Sequence, residues 1–348
     1  MAYTTINKST DYFNTKLYTG NGGTNAISGI GFQPDWIWSK NRGSSSNHFL
    51  VDVLRGTEYE LRSNSTNHSA GDSNLMDSFD SDGFTLSSSA SMNTNSDNYV
   101  SWNWKANGAG SSNTDGSITS TVSANTTSGF SIVQWTGTGS NATIGHGLGV
   151  TPKCFLIKKT SGTSAWSMYH ENVGNTKFLT FNGFAVATTG STVWNNTSPT
   201  SSVFSVGTAD NGNASGATYI GYFFAEKIGF SKMGIVNGNA SSSSPPFIYT
   251  GFKPAFIIVK IASTGGVDTG GWVMYDNKRY PNNLSDSPVL FGNLTNVESD
   301  AYNLEMFSNG FRFNSTSVTV NGSGNQYIYL SFAEAPLVGN NNVPATAK

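Results

Sequence analysis

The chain has 348 residues, and only 11% of them are charged, with a net charge of −2 and one cysteine. Soluble domains usually carry about 25% charged residues, so Ser, Thr, Asn and Gly must supply most of the polar surface. The near-neutral charge excludes electrostatic binding to nucleic acid or to an anionic membrane surface. One cysteine, Cys154, excludes an intrachain disulfide, and no apolar run approaches the ~18 residues of a membrane-spanning helix.

The first repeating unit, unit one, is predicted over residues 1–106, which include a short polar N-terminal lead. A run of apolar residues that follows a proline is typical of a buried β-strand, and residues 31–40 contain such a run. Unit one closes with a tyrosine-led strand at residues 99–104. Residues 107–128 are rich in Gly, Ser, Thr and Asn, which favours a linker, although residues 117–122 have the pattern of an edge strand.

The same order of strand signals returns twice more, with a period of about 110 residues. Unit two is predicted over residues 129–228 and unit three over residues 229–337. Residues 338–348 have the composition of a loose tail. Helical periodicity is nearly absent, and short strands with frequent turns are typical of sandwiches and jelly rolls. The sequence therefore predicts an all-β chain of three tandem β-sandwich or jelly-roll-like domains.

The three closing strands alternate between apolar and mixed positions, as half-buried strands do. This alternation predicts that Trp102, Tyr222 and Leu330 occupy equivalent positions in the core. A shift of one residue would expose the tryptophans, so we expect a well-defined register. We also expect Cys154 to be a buried structural thiol, because it lies in an apolar strand.

No catalytic constellation stands out. Asp52 with Arg55 and Asp276 with Arg279 repeat an Asp-x-x-Arg pattern, which indicates a turn held by an ion pair. Glycoside hydrolysis needs two carboxyl groups roughly 5–10 Å apart in one cleft. The matched carboxylates of units two and three, Glu226 and Glu334, lie in different predicted domains. The four histidines lack metal-ligand spacing. We therefore expect no enzyme activity, no cofactor and no metal.

Aromatic side chains outside the core pattern are the best candidates for binding. Trp135, Trp194 and Tyr302 lie near polar turns rich in Asn, Ser and Thr. An exposed ring bordered by such groups suits a shallow carbohydrate site. The alternative for each of the three is partial burial where two domains meet.

Several short sequence segments resemble those of a protein family of tailed bacteriophages that is common in marine phages. They lie at residues 18–22, 31–38, 146–153 and 332–336, and the resemblance covers nearly the whole chain. Members of that family are described as virion structural or tail-fibre proteins. The resemblance implies a component exposed on the virion, and it carries no catalytic motif.

Together these observations favour a tail fibre or related appendage that contacts the host surface. A capsid decoration or head-fibre protein is the alternative, and a polysaccharide depolymerase is a third hypothesis. The expected partners are other virion proteins and a host surface glycan or receptor. Phage fibres are often trimers, so analogy suggests a homo-oligomer. The N-terminus lacks a signal-peptide pattern, so we expect synthesis in the host cytoplasm and exposure as part of the virion.

Overall fold

The structure is a computed structural model that describes residues 3–263, 270–281, 283 and 287–338. Its described part is all-β, as predicted. The helical elements there are a 3-10 turn (Ser9–Asp11) and two single-turn helices, α1 (Ala90–Asn93) and α2 (Asp210–Asn213). The predicted tail, residues 338–348, lies outside the described residues apart from Val338.

The strands are grouped by the predicted unit in whose range each of them lies. Those of unit one are β1 (Phe13–Thr19), β2 (Asn25–Ser28), β3 (Trp36–Asn41), β4 (His48–Asp52), β5 (Tyr59–Glu60), β6 (Ala70–Gly71), β7 (Met76–Asp80), β8 (Gly83–Leu86) and β9 (Asn98–Trp104). Between units one and two lie β10 (Ser111–Asn113) and β11 (Ser120–Asn125).

Those of unit two are β12 (Phe130–Thr136), β13 (Ala142–Gly145), β14 (Cys154–Lys159), β15 (Ser167–His170), β16 (Lys177–Thr180), β17 (Thr188–Thr189), β18 (Val203–Val206) and β19 (Thr218–Phe224). Those of unit three are β20 (Ser231–Asn237), β21 (Phe247–Tyr249), β22 (Phe252–Ser263), β23 (Val273–Asp276), β24 (Pro288–Phe291), β25 (Ser299–Asp300), β26 (Leu304–Phe307), β27 (Gly310–Phe313) and β28 (Gln326–Pro336).

Each unit has a main antiparallel sheet in which the closing strand lies between the first strand and the proline strand. The order is β1-β9-β3-β4 in unit one, β12-β19-β14-β15 within the sheet of unit two, and β20-β28-β22-β23 within that of unit three. The register also agrees, because Trp38 pairs with Trp102, Leu156 with Tyr222 and Ile258 with Leu330. Superposition of the three units as one fold stays a prediction.

The inner faces of the three main sheets meet in one shared core. Trp104, Phe224 and Phe332, one from each closing strand, form a triangle with ring centroids 5.6 to 6.4 Å apart. Trp102, Tyr222 and Leu330 lie in the same cluster and are 0%, 0% and 4% exposed. A wholly apolar cavity of about 20 Å³ remains at this centre. The sequence predicted three separate domains, whereas the structure joins their inner faces.

The outer face of each main sheet is covered by a small sheet of the same unit. These outer sheets are β2-β8-β7 in unit one, β13-β18 in unit two and β21-β27-β26 in unit three. Each outer sheet encloses its own apolar cluster against the main sheet. Every unit is therefore a two-layer sandwich, and the three sandwiches surround the shared core.

A buried asparagine fixes the turn after the first strand of each unit. The three residues are Asn93, Asn213 and Asn321, and all are at most 2% exposed. In each, the side-chain oxygen accepts a backbone N–H of that turn at 2.8 to 3.0 Å, and the side-chain nitrogen donates to two or more carbonyl oxygens. A fully satisfied buried amide holds a loop in one conformation.

Residues 107–128, predicted as a linker, differ from that expectation. They carry β10 and β11, and β11 pairs along its length with β12. Ile118 and Val122 are 8% and 6% exposed and enter the core of unit two. Their spacing within the stretch is the alternation of a half-buried strand. Ser117 and Thr119 are exposed whereas Ser120 and Ser123 are buried, so a Ser- and Thr-rich composition did not distinguish this strand from a linker.

We expect the three units to unfold in one cooperative transition, because none can open without exposing the shared core. Trp104→Ala should lower the free energy of unfolding by about 3–5 kcal/mol and leave the transition single. Denaturant titrations followed by circular dichroism and by tryptophan fluorescence measure both effects. Phe184→Ala, at a 47% exposed position, is the control and should cost little. Separate transitions for the two probes would contradict a shared core.

Candidate functional site

Backbone hydrogen bonds made by buried lysines join neighbouring units. Lys158 of unit two donates to the Thr66 carbonyl of unit one at 2.9 Å, and Lys260 of unit three donates to the Phe184 carbonyl of unit two at 2.5 Å. Burial lowers the pKa of Lys158 to about 8. Each pair of units therefore meets along a seam, where a loop of one unit satisfies a buried charge of the next.

The seam between units three and one is closed by an ion pair. Arg42 donates two hydrogen bonds to the carboxylate of Glu298, at 2.9 and 2.7 Å, and Glu298 also contacts Arg279 at 3.2 Å. The Ser46 N–H donates to the Thr295 carbonyl beside this pair. A bidentate arginine–carboxylate contact fixes geometry as well as charge, so this seam is filled.

The two Asp-x-x-Arg motifs hold turns and also bind the next unit. Arg55 contacts Asp52 at 2.6 Å, and that carboxylate accepts a hydrogen bond from the Tyr222 hydroxyl at 2.8 Å. Asp276 likewise contacts Arg279, at 2.5 Å, and accepts one from the Trp102 indole at 3.1 Å. These pairs are buried and fully engaged, which explains them as structural.

Unit two departs from this arrangement. At the position of the two aspartates it has His170, which is buried, and the residue equivalent to Trp102 and Tyr222 is Leu330. Leu330 has no group that could donate to a carboxylate. A neutral imidazole in place of the aspartate avoids a buried charge without a partner.

The seam between units one and two opens into a groove of about 250 Å³. Tyr59, which is 47% exposed, lies at its rim, and the Arg55 guanidinium lies in its wall, donating to the Tyr59 carbonyl at 3.1 Å and to the Ser69 hydroxyl at 3.3 Å. The lining is formed by Leu54, Arg55, Tyr59, Ser69, Gln134, Thr160 and Thr218. This lining is mostly uncharged and polar.

A second depression, of about 350 Å³, continues the first across the strands added to unit two. It is lined by Ser112, Thr119, Ser120, Thr121, Gln134, Trp135, Thr136 and Thr218. Gln134 and Thr218 belong to both linings, so the two depressions form one continuous surface, which we call the seam groove. Segment 107–128 therefore builds one wall of this groove.

Gln134 is the central polar group of the seam groove. It is half-buried, and its side-chain amide makes no hydrogen bond to any residue that the structure describes. Nearby, the hydroxyls of Thr160 and Thr218 bond each other at 2.7 Å. An unpaired amide offers two donors and one acceptor, so a ligand in the groove would complete its hydrogen bonding.

The seam between units two and three differs from the seam groove in the side chain at the position of Gln134. Gln134 pairs with Ile220, and the corresponding partner of Ile328 in unit three is Ile235. Two depressions lie at that seam: one of about 60 Å³ that includes Lys177 and Ile235, and a mainly apolar one of about 580 Å³ between Phe184 and residues of unit three. An apolar side chain thus replaces the free amide there. The half-buried amide at this position distinguishes the seam between units one and two.

The predicted binding aromatics lie in different places. Trp135 and Trp194 are 3% and 1% exposed, so the expectation of exposed rings is wrong for both. Tyr219 stacks on Trp135, and Phe155 meets Trp194 edge-on, because these indoles fill the space between main and outer sheets. Trp135 lines the seam groove but is almost wholly buried.

Tyr302 is half-buried and lines a cavity of about 580 Å³. Phe184, Phe291, Leu294 and Asn296 are among its neighbours there. Its backbone φ of 50° places it in the left-handed region that few non-glycine residues adopt. This cavity is more apolar than the seam groove and lies in a different part of the molecule.

The carboxylates that sequence considered for catalysis are engaged elsewhere. Glu226 accepts the Met233 N–H at 2.8 Å and contacts Lys232, while Glu334 contacts Lys253 at 3.4 Å. In the described ranges, no group of three His, Cys, Asp or Glu side chains is placed to hold a metal ion. Burial raises the pKa of the Cys154 thiol well above its usual value. The groove can therefore hold a polar, uncharged ligand through hydrogen bonds and ring contacts.

Sequence reasoning missed both Tyr59 and Gln134. Gln134 had a usable signal, since it is the one amide in the otherwise apolar run of β12. Tyr59 had none, because its strand has only two residues.

The fold is three β-sandwiches around one core, with a mostly uncharged groove between two of them. The chain belongs to the DUF7483 family, described as a domain of unknown function, whose model matches residues 8–336. That match spans all three units and the segment between units one and two. A search of curated proteins finds no match. Within the described part of the chain, no helix is long and apolar enough to cross a membrane.

His170 should make stability depend on pH. Burial lowers its pKa from 6.5 to about 4, so the folded chain binds this proton less readily than the unfolded chain does. The stabilisation is complete above pH 6.5 and decreases as the pH falls towards 4. Between pH 7.5 and 4.5 the loss should be about 2–3 kcal/mol.

The test compares the unfolding free energy of the wild type with that of His170→Asn at both pH values. The variant should lose less stability on acidification, by that same amount. His68→Asn, at an exposed position, should behave as the wild type does. An equal pH dependence in wild type and His170→Asn would contradict the assignment.

Proposed function

We propose that the protein is an exposed structural protein of a bacteriophage virion, which attaches to uncharged carbohydrate of the host surface through the seam groove. The observation that carries the proposal is the exposed Tyr59 ring beside the unpaired Gln134 amide, with threonine and serine hydroxyls along the same surface.

Carbohydrate fits the chemistry of this groove. A sugar ring has an apolar C–H face that packs on an aromatic ring, and hydroxyls at its edge that exchange hydrogen bonds with amides and hydroxyls. Tyr59 supplies the ring, and Gln134, Ser112 and Thr119 supply the polar partners. The two joined depressions, of about 250 and 350 Å³, extend this polar lining beyond a single pocket.

Attachment without hydrolysis is the simplest activity for the groove. A glycosidase places two carboxyl groups on either side of the bond that it cleaves. The lining residues of the seam groove include no Asp or Glu, and Glu226 and Glu334 are paired with lysines. The groove therefore supports a binding role in preference to a depolymerase.

A place on the virion is supported by the phage-family resemblance and by the surface chemistry. A surface built from Ser, Thr, Asn and Gly makes weak neutral contacts, and many copies on one particle raise avidity by orders of magnitude. The shared core keeps the groove walls in fixed relative positions, which favours such repeated contacts. A capsid position and a tail position are equally compatible with this chemistry. Antibody labelling of intact particles in the electron microscope separates them, and particles without label would contradict a virion role.

Gln134→Ala and Tyr59→Ala should each weaken binding to purified host surface polysaccharide by about fivefold. The first loses a hydrogen-bonding amide and the second a ring contact, each worth roughly 1 kcal/mol. Isothermal titration calorimetry of the full chain measures the change. Lys177→Ala is the matched control, because Lys177 lines the depression of about 60 Å³ between units two and three. This variant should bind as the wild type does.

Salt gives an independent check on the same complex. Binding through neutral groups should change little between 50 and 500 mM salt, on the order of twofold, because few charges are screened. A steep loss of affinity with salt, or release of oligosaccharide during incubation, would contradict neutral binding without hydrolysis.

A further inference from the structure

The outer sheet of unit three presents aromatic side chains to solvent. Phe247 and Tyr249 are 48% and 55% exposed, and Ile248 between them is buried. Successive residues of a strand point to opposite faces, so both aromatic rings lie on the outward face of β21. Neither belongs to the seam groove.

The other two units show that the fold does not require these rings. Ile248 pairs with Phe311 in unit three, Ile27 with Phe84 in unit one and Ile144 with Phe204 in unit two, so these isoleucines are equivalent. The residues on either side of the isoleucine are Ala26 and Ser28 in unit one, and Thr143 and Gly145 in unit two. Small or polar residues thus suffice at the same structural position.

The exposed rings belong to a larger apolar area. Phe307 lies 5.7 Å from Phe247, ring to ring. Among the described residues, Ile228, Tyr249 and Phe247 are the most exposed large hydrophobic side chains. We call Phe247, Tyr249 and Phe307 the aromatic face.

Both signs of charge lie beside the aromatic face. The Arg312 guanidinium sits over the Phe307 ring at 5.3 Å and contacts Glu305 at 2.5 Å. Both side chains of this ion pair are partly exposed. An apolar area that is flanked by adjacent opposite charges is complementary to its own copy turned through 180°, which is the requirement of a twofold contact.

We propose that two copies of this chain bind each other through the aromatic face. The contact is made by side chains and not by strand addition, because Pro245 and Pro246 precede β21 and have no N–H to donate to a neighbouring strand. The face has three aromatic side chains, whereas a standard interface has roughly 20–30 residues a side. The dimer is therefore weak in dilute solution and favoured where copies are held close together.

Sedimentation equilibrium of the full-length chain, without carbohydrate, tests the proposal. The wild type should dimerise reversibly at high micromolar concentration. The double variant Phe247→Ala, Tyr249→Ser carries the residues that unit one has at these positions, and it should raise the dissociation constant at least tenfold. Phe184→Ala, equally exposed but away from the face, should leave the dissociation constant unchanged.

A wild type that stays monomeric up to about 1 mM would overturn the proposal, and so would self-association that the double variant does not weaken. If the wild type is monomeric and the double variant loses polysaccharide binding, the aromatic face holds carbohydrate instead. Self-association is measured in the absence of ligand, so this result and that for the seam groove are independent.

Discussion

The burial of three apolar sheet faces against one another is the constraint on which the rest of the structure depends. Each main sheet is apolar on both sides, and its own outer sheet covers only one of them. The remaining face, with Trp104, Phe224 or Phe332, is buried only where all three units meet. One unit alone would expose this face to water at a cost of roughly 25 cal/mol per Å².

The seams follow from the shared core, because packing three sandwiches together also buries polar groups at their borders. Lys158 and Asp52 are satisfied by the neighbouring unit, so the units fix one another's polar contacts as well as their apolar ones. The three seams are related but not identical. The ion pair of Arg42 and Glu298 fills one of them, and another is left open as the seam groove.

Local patterns in the sequence were sufficient for the all-β class and for the position of Trp102, Tyr222 and Leu330 in register. Alternation states that a face is buried but does not state what covers it, so a core shared by three units was read as three separate cores. Trp135 and Trp194 were misplaced for a related reason, since polar turns flank rings that tertiary packing buries. The groove needed residues from units one and two together, and no local pattern reports such a meeting.

Comparison of the three units distinguishes residues that the fold requires from residues that it only tolerates. Where three units place a residue in the same environment, the features common to all three, such as Asn93 and its two counterparts, are explained by the fold. A residue that departs from its counterparts at an exposed or half-buried position has no such explanation. Gln134, where unit three has Ile235, and Tyr249, where unit one has Ser28, are departures of this kind. Exposing a large ring or leaving an amide unpaired brings no folding benefit, so the two surfaces that carry these residues are where binding is to be sought.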